Sequence, residues 1–148
     1  MVKKIFTPAI LLSALTFMFA SCTKDTIVSD TNDIVGTWAV TDIRSNQAYD
    51  WDGDGRTETN IYGTYSSCQR DIVLVFDYDG YGESRQGCNA PWSSLYWDLV
   101  NNRTLNIQLS GDDLNLDIIQ MTNNTIRGED QVYLNGRNYT ITYTLSRR

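Results

Sequence analysis

From residue 34 onward, apolar residues recur at every second position in short runs. Leu105, Ile107 and Leu109 alternate with polar residues, and the run 139–145 alternates in the same way. A two-residue repeat places alternate side chains on opposite faces of a β-strand. No window past residue 33 has the spacing of a helical face. This feature predicts an all-β domain in which most strands have one buried face and one face in water.

Turn-forming residues separate these runs at intervals of about ten to twelve residues, a spacing typical of hairpin-linked strands. They are Asp79-Gly80, Asn89-Ala90-Pro91, Asn101-Asn102, Gly111-Asp112, Asn123-Asn124 and Asn135-Gly136. A meander of this length must close or stack, because open sheet edges invite aggregation. We therefore expect an antiparallel up-and-down barrel of about eight strands.

The N-terminal segment has the order of an export signal. Lys3 and Lys4 precede an apolar stretch over 5–19, which is too short and too interrupted to span a membrane. The stretch ends in Ala20-Ser21-Cys22, which resembles the bacterial lipobox. We expect a signal peptide over 1–21, a lipid-bearing Cys22 that opens a flexible tether over 22–33, and one domain over 34–148. The alternative is an ordinary secretory signal with an incidental cysteine.

Charge and composition exclude several classes of function. Cleavage removes Lys3 and Lys4 from 12 basic residues, which leaves 10 against 18 acidic residues, net −8. This charge argues against nucleic acid as a partner. The chain contains no histidine, so the commonest general base and the usual zinc ligand are absent. Paired carboxylates could still hydrolyse glycosides, but most acids here lie in turns. We expect a protein that is not an enzyme.

Once Cys22 is assigned to lipid, two cysteines remain outside the cytoplasm, where disulfides persist. Cys68 and Cys88 lie ten residues on either side of Tyr78. An antiparallel hairpin would bring them nearly opposite each other. We expect them to pair, with a stabilisation of roughly 3 kcal/mol. Two free thiols are the alternative.

An acidic loop, DWDGDG over 50–55, has oxygen ligands at alternate positions and glycine at the sixth, as in calcium-binding loops. The candidate ligands are the carboxylates of Asp50, Asp52 and Asp54, the carbonyl of Arg56, and Glu58 at the ninth position. The twelfth position, normally glutamate, is Ile61. We therefore expect a weak Ca²⁺ site, with a plain acidic connector as the alternative.

Several segments, in order, resemble the lipocalin-like domain common in lipoproteins of Bacteroides and its relatives. They are Gly36-Thr37-Trp38, the DWDGDG loop, IVLVFDYDG, WDLVNNRTLNI and YTITYTLSR. The resemblance implies a calyx with Gly36 and Trp38 at its base and an arginine, Arg137 or Arg147, stacked on Trp38. It also implies attachment to the outer membrane, on its periplasmic or cell-surface face.

By the same analogy, the barrel of a monomer would hold one small apolar or amphipathic ligand. Trp92, Tyr96 and Trp97 are the candidate ligand-binding aromatics, at the rim opposite Trp38, although they could instead fill the core. The rival hypothesis is a calcium-stiffened surface module that contacts a glycan or a protein.

Replacement of Cys22 tests the lipid anchor. We expect Cys22→Ser to abolish acylation and to release the protein from membranes, since no other residue can take the lipid. Membrane fractionation and intact mass measure the outcome. A variant that stays in the membrane fraction with a lipid-shifted mass would contradict the assignment.

Overall fold

A computed structural model of the chain describes residues 30–148. The expected signal peptide, Cys22 and the first part of the tether lie outside the described residues. In the part that is described, no helix has the length and apolar character needed to cross a membrane.

The described chain forms nine strands and two very short helices. The strands are β1 (Gly36–Tyr49), β2 (Glu58–Asn60), β3 (Ile72–Phe76), β4 (Tyr81–Gln86), β5 (Ser93–Val100), β6 (Thr104–Gln108), β7 (Asp113–Thr122), β8 (Thr125–Leu134) and β9 (Arg137–Arg147). A 3-10 helix covers Thr31–Asp33, and an α-helix, α1, covers Ile61–Thr64. Helix is minor, as the two-residue repeat predicts.

The strands form a closed antiparallel barrel. Each strand from β3 to β8 pairs with the next along the chain. β1 pairs with both β3 and β9, which closes the barrel. The β1–β9 seam runs from the Trp38–Arg147 pair to the Ser45–Ile141 pair, with a bulge between Val40 and Asp42. β2 is a ninth strand that extends the sheet from the second half of β1. The predicted up-and-down barrel of eight strands is confirmed.

All six predicted turns join consecutive strands. Asn101 and Asn102, between β5 and β6, both have positive φ, at 52° and 53°. Asn135 does the same before Gly136 in the β8–β9 hairpin. Asparagine tolerates this left-handed conformation better than other side chains, and two-residue hairpins require it. The turn chemistry therefore sets where each strand ends.

The core follows the predicted alternation. Residues at alternate strand positions face inward and are buried, among them Trp38, Val40, Leu105, Ile107, Leu116, Ile118 and Ile141. Leu109 and Tyr143 pack against this core and are partly buried. Strand β3 is apolar on both faces, with Val73 buried on one side and Leu74 and Phe76 on the other.

One end of the barrel is closed by Trp38 and Arg147. Trp38 is fully buried, and the Arg147 guanidinium lies 4.3 Å from its ring centroid. Arg147 also donates to the carbonyls of Asp33, Val35 and Asn123 at 2.7–2.8 Å. Of the two arginines that the sequence left open, the structure selects Arg147.

Gly36 is required by this arrangement. Its φ is +135°, a conformation that disfavours any side chain. A Cβ at this position would also lie 2.5 Å from Arg147 Nη1. The glycine therefore lets the first strand pass directly beside the arginine.

The segment just before β1 is ordered against the closed end of the barrel. Residues 31–33, assigned to the tether, form the 3-10 helix, which Asp30 caps through Asn32 N–H. Ile34 is fully buried, and its carbonyl accepts the Trp38 indole N–H at 2.7 Å. Arg147 and Trp38 thus hold the segment before β1 against the closed end.

Arg147→Lys should destabilise the fold by about 2 kcal/mol, because lysine cannot keep three divergent hydrogen bonds and the ring contact together. Urea unfolding, followed by tryptophan fluorescence, measures this. The matched control is Arg148→Lys, whose exposed side chain makes one ion pair with Asp71 at 3.3 Å. We expect the control to change stability by less than about 0.5 kcal/mol. Equal losses in both variants would contradict the role of Arg147.

Candidate functional site

The open end, opposite Trp38, differs from the closed end in how its inward side chains are covered. At the closed end Trp38, Leu116, Ile126 and Leu145 are at most 1% exposed. Toward the open end Tyr139 and Ile141 are buried, but several other apolar side chains pack against the core and are only partly buried. We call this group the mouth: Ile72, Leu109, Leu114, Val132, Leu134 and Tyr143. The barrel therefore has a fully packed base, and apolar side chains are only partly covered in its upper half.

Three aromatic rings form one wall of the open end. Tyr49, at the end of β1, meets Trp51 and Tyr139 edge-to-face, with centroids 5.1 Å and 5.4 Å away. Trp51 meets Tyr139 at 5.4 Å. Trp51 Nε1 is buried and has no hydrogen-bond partner among the described residues. A buried indole N–H usually has an acceptor, so this donor is available to one.

The acidic loop joins β1 to β2 beside this aromatic wall. Asp50 Oδ2 accepts the Gly55 N–H at 3.0 Å, and Asp52 Oδ1 accepts the Asp54 N–H at 3.2 Å. Asp54 Oδ1 accepts the Arg56 N–H at 2.8 Å. These bonds curl the loop so that its carboxylates turn toward a common centre.

The carboxylates of the three predicted aspartates lie close together, whereas Glu58 lies outside this group. One carboxylate oxygen from each of Asp50, Asp52 and Asp54 lies within 4.8 Å of the others. Asp50 Oδ1 is buried without a hydrogen-bond partner among the described residues. Glu58 is not in this group, and its Oε1 accepts the Trp51 N–H at 2.8 Å. Ile61, at the twelfth position, is buried in the core.

Helix α1 and its neighbours fill the place where β1 leaves β3. The β1–β3 ladder ends at the Ala39–Val73 pair, after which β1 pairs with β2. The Tyr62 hydroxyl lies 3.1 Å from the Val40 carbonyl, at this point of divergence. Arg70 donates to the carbonyls of Tyr62 and Gly63 and so caps α1. These contacts fix the segment that borders the mouth on the β3 side.

The predicted disulfide between Cys68 and Cys88 is confirmed, with the two Cα atoms 4.9 Å apart. Both cysteines lie just beyond the paired parts of β3 and β4. The bridge therefore ties the segment after α1 to the β4–β5 loop at the open end. A closed loop of this size stabilises a fold by roughly 3 kcal/mol.

The three candidate ligand-binding aromatics are not brought together. Trp97 is buried in the lower half of the barrel, where its Nε1 donates to the carbonyls of Asp77 and Tyr81. Tyr96 faces outward, half exposed, because it occupies the alternate position of β5. Trp92 precedes β5 and is exposed, with the Arg85 guanidinium 5.1 Å from its ring centroid. A one-residue offset thus puts Tyr96 and Trp97 on opposite faces.

The outer face of the barrel carries an exposed pair of tyrosines beside a shallow depression. Tyr96 meets Tyr81 edge-to-face at 5.0 Å, and both rings are about half exposed. A shallow depression of ≈ 410 Å³ adjoins them. It is lined by Ser94, Tyr96, Gln108, Leu109, Ser110 and Asp113.

The sequence missed a polar group inside the barrel. Asp130 occupies an inward position of β8, between Gly128 and Val132. Burial raises the pKa of Tyr143 to about 12, and the charge of Asp130 and the nearby Tyr65 and Asp112 add to this. Burial also raises the pKa of Tyr65. Strand periodicity could have placed Asp130 inward, but its segment, GEDQ, has no apolar alternation to signal it.

The fold and the open end define a small closed β-barrel with a partly open apolar mouth and an acidic loop at its rim. The chain belongs to the family described as "Domain of unknown function (DUF5004)", whose profile matches residues 16–146. A search of curated proteins finds no sequence match.

Proposed function

We propose that this protein is a non-enzymatic lipocalin-like lipoprotein of the Bacteroides type that holds a small amphipathic molecule in the mouth of its barrel. The observation that carries the proposal is the difference between the two ends. The largest side chains of the closed end, such as Trp38 and Leu145, are at most 1% exposed, whereas the residues of the mouth are only partly buried. Covering such surface with an apolar ligand is favourable by about 25 cal/mol per Å².

The contacts at the mouth limit the size of the ligand. Trp38, Phe76, Leu95 and Trp97 are bulky and buried in the lower half, so a ligand would reach only the upper half. The unpaired indole N–H of Trp51 would meet an acceptor on the ligand. An amphipathic molecule, with an apolar body and a polar group, suits both features.

The anchor and the location belong to the same proposal. A lipid on Cys22 would hold a monomer at the outer membrane, on the periplasmic or the cell-surface face. The resemblance of the signal to a lipobox and the resemblance of the domain to lipocalin-like lipoproteins support this. The net charge of the mature chain argues against nucleic acid.

The acidic loop is proposed to bind Ca²⁺ weakly. Carboxylate oxygens are the ligands that Ca²⁺ prefers, and three of them converge here. The partnerless oxygen of Asp50 adds support, because a buried carboxylate oxygen needs a donor or a cation. Bound Ca²⁺ would stiffen the loop beside Trp51 and so the aromatic wall of the mouth.

The exposed pair of Tyr81 and Tyr96 favours a second candidate function, a surface module that contacts a glycan. Aromatic faces beside hydroxyl, amide and carboxylate groups suit a sugar, and the depression next to Tyr96 supplies all three. This surface lies on the outside of the barrel. The depression and the mouth share Leu109, so replacement of Tyr81 or Tyr96, which lie outside the mouth, separates the two functions.

Titration of the full chain carrying Cys22→Ser, which lacks competing acyl chains, tests the mouth. We expect at least one amphipathic probe, drawn from fatty alcohols, retinoids, fatty acids and bile-salt-like amphiphiles, to shift tryptophan fluorescence. Val132→Trp should weaken binding at least about tenfold, because the larger ring fills the mouth. Tyr133→Trp is the matched control, since Tyr133 is an exposed neighbour on the opposite face. Absence of any response, or equal weakening in both variants, would reject the mouth as the binding site.

Calorimetry with Ca²⁺ tests the acidic loop. We expect a dissociation constant of about 10⁻⁴–10⁻³ M, because the bidentate twelfth ligand is missing. Asp52→Asn should remove the signal. Asp79→Asn, in the acidic turn between β3 and β4, should leave it unchanged. Heat exchange that persists in Asp52→Asn would show that the cation binds elsewhere.

A further inference from the structure

One carboxylate lies on the inner wall of the barrel. On β8, Ile126 and Gly128 are buried, and Val132 and Leu134 pack against the core. Asp130 shares their face, because strand side chains alternate. The β7–β8 ladder has its last pair at Asp117–Glu129, so β7 and β8 separate immediately beside Asp130 on the side of the open end. The carboxylate therefore lies at the edge of the mouth.

Within residues 30–148, no cation forms an ion pair with this group. The ion pairs among the described residues are Arg44–Asp42, Arg85–Asp71 and Arg148–Asp71, none of which includes Asp130. Residues 30–148 contain no lysine. Asp130 accepts the Gln131 N–H at 2.8 Å, which is a neutral donor. Asp130 is partly buried and its donors are neutral N–H groups, so an opposite charge at this position would be favourable.

The surroundings of Asp130 are acidic or neutral. Burial raises the pKa of its carboxyl, the Gln131 and Asn115 N–H groups oppose this, and the charge of Asp117 adds to it. Tyr143, on β9, packs against the core, and its hydroxyl lies close enough to Asp130 for the carboxylate charge to act on it. A positive group placed here would meet a carboxylate and a phenol oxygen. A negative group would meet repulsion.

We propose that Asp130 receives the positively charged headgroup of an amphipathic cation, such as a primary alkylamine, whose apolar body lies against Leu114, Val132 and Leu134. This inference rests on the proposed function and specifies its ligand class. An ammonium can donate to Asp130 and to the Tyr143 oxygen at once. Charge-assisted hydrogen bonds of this kind are stronger than neutral ones. The apolar residues then select for chain length and Asp130 selects for charge.

The test compares three probes with the same ten-carbon chain: decylammonium, 1-decanol and decanoate, each below its micellar concentration at neutral pH. They are titrated into the full chain carrying Cys22→Ser and followed by tryptophan fluorescence. We expect decylammonium to bind at least about tenfold more tightly than decanol, and decanoate to bind most weakly. Asp130→Asn, which keeps the shape of the side chain, should reduce the preference for the amine to less than about threefold.

Glu129→Gln is the matched control. It removes the same charge from the adjacent residue of β8, which faces the other side of the sheet. We expect it to keep the preference for decylammonium. If Asp130→Asn and Glu129→Gln weaken the preference equally, the effect comes from net charge and the assignment to Asp130 is overturned.

The other outcomes separate the two proposals. Equal binding of all three probes to the unsubstituted mouth would overturn the charge selection by Asp130 and leave the mouth as a binding site. Tighter binding of decanoate than of decylammonium would also overturn it. Failure of every probe to bind would reject the proposed function itself. The comparison within the unsubstituted mouth needs no Asp130 variant, so a variant that fails to fold does not remove the test.

Discussion

The barrel depends on the contact between Arg147 and Trp38. The guanidinium covers the indole face and at the same time donates to carbonyls before β1 and in the β7–β8 turn. A single side chain from the last strand thus joins three separate parts of the chain. Gly36 leaves the space for it, and the Trp38 N–H fixes the Ile34 carbonyl. The first and last strands also pair with each other. The same two strands therefore close both the sheet and the base of the barrel.

At the open end the strands are not fully paired. The β1–β3 ladder ends before the open end, and α1 with Tyr62 lies where it stops. The β7–β8 ladder also ends early, and Asp130 lies beside that break. The disulfide adds a covalent link where the ladder of β3 and β4 has ended. A fully paired rim would leave no gap beside Asp130 and no loop beside Trp51. The base supplies stability, and the rim carries the irregular groups that can recognise a ligand.

The fold was predictable because its signals are local. Alternation in β6 and β9, together with turn chemistry such as Asn135-Gly136, specifies strands and their neighbours without knowledge of the tertiary structure. The disulfide followed from the placement of Cys68 and Cys88 around one hairpin. The choice of Arg147 over Arg137 required the seam between β1 and β9, which no local pattern reveals.

The site was less predictable because it depends on which face of the sheet each side chain occupies and on contacts between residues distant in sequence. Tyr96 and Trp97 were grouped by proximity in sequence, yet adjacent strand residues point to opposite faces. Asp130 lies inward in a polar segment, so hydrophobic alternation does not identify it. Trp51 lies in the loop after β1 and contacts Tyr139 on the last strand. The two residues are far apart in sequence and meet only because the barrel closes. The three aspartates converge as their spacing indicated, whereas Glu58 instead supports the loop backbone.

The chain enters the barrel at the closed end, opposite the mouth. Residues 31–35 enter at the closed end, where Arg147 holds the carbonyls of Asp33 and Val35. Whatever is joined ahead of residue 30 is therefore joined beneath Trp38, on the opposite side from the mouth. Strands of this length, tilted as in small barrels, place the two ends about 25 Å apart. A group attached near residue 30 would therefore lie far from a molecule bound in the mouth.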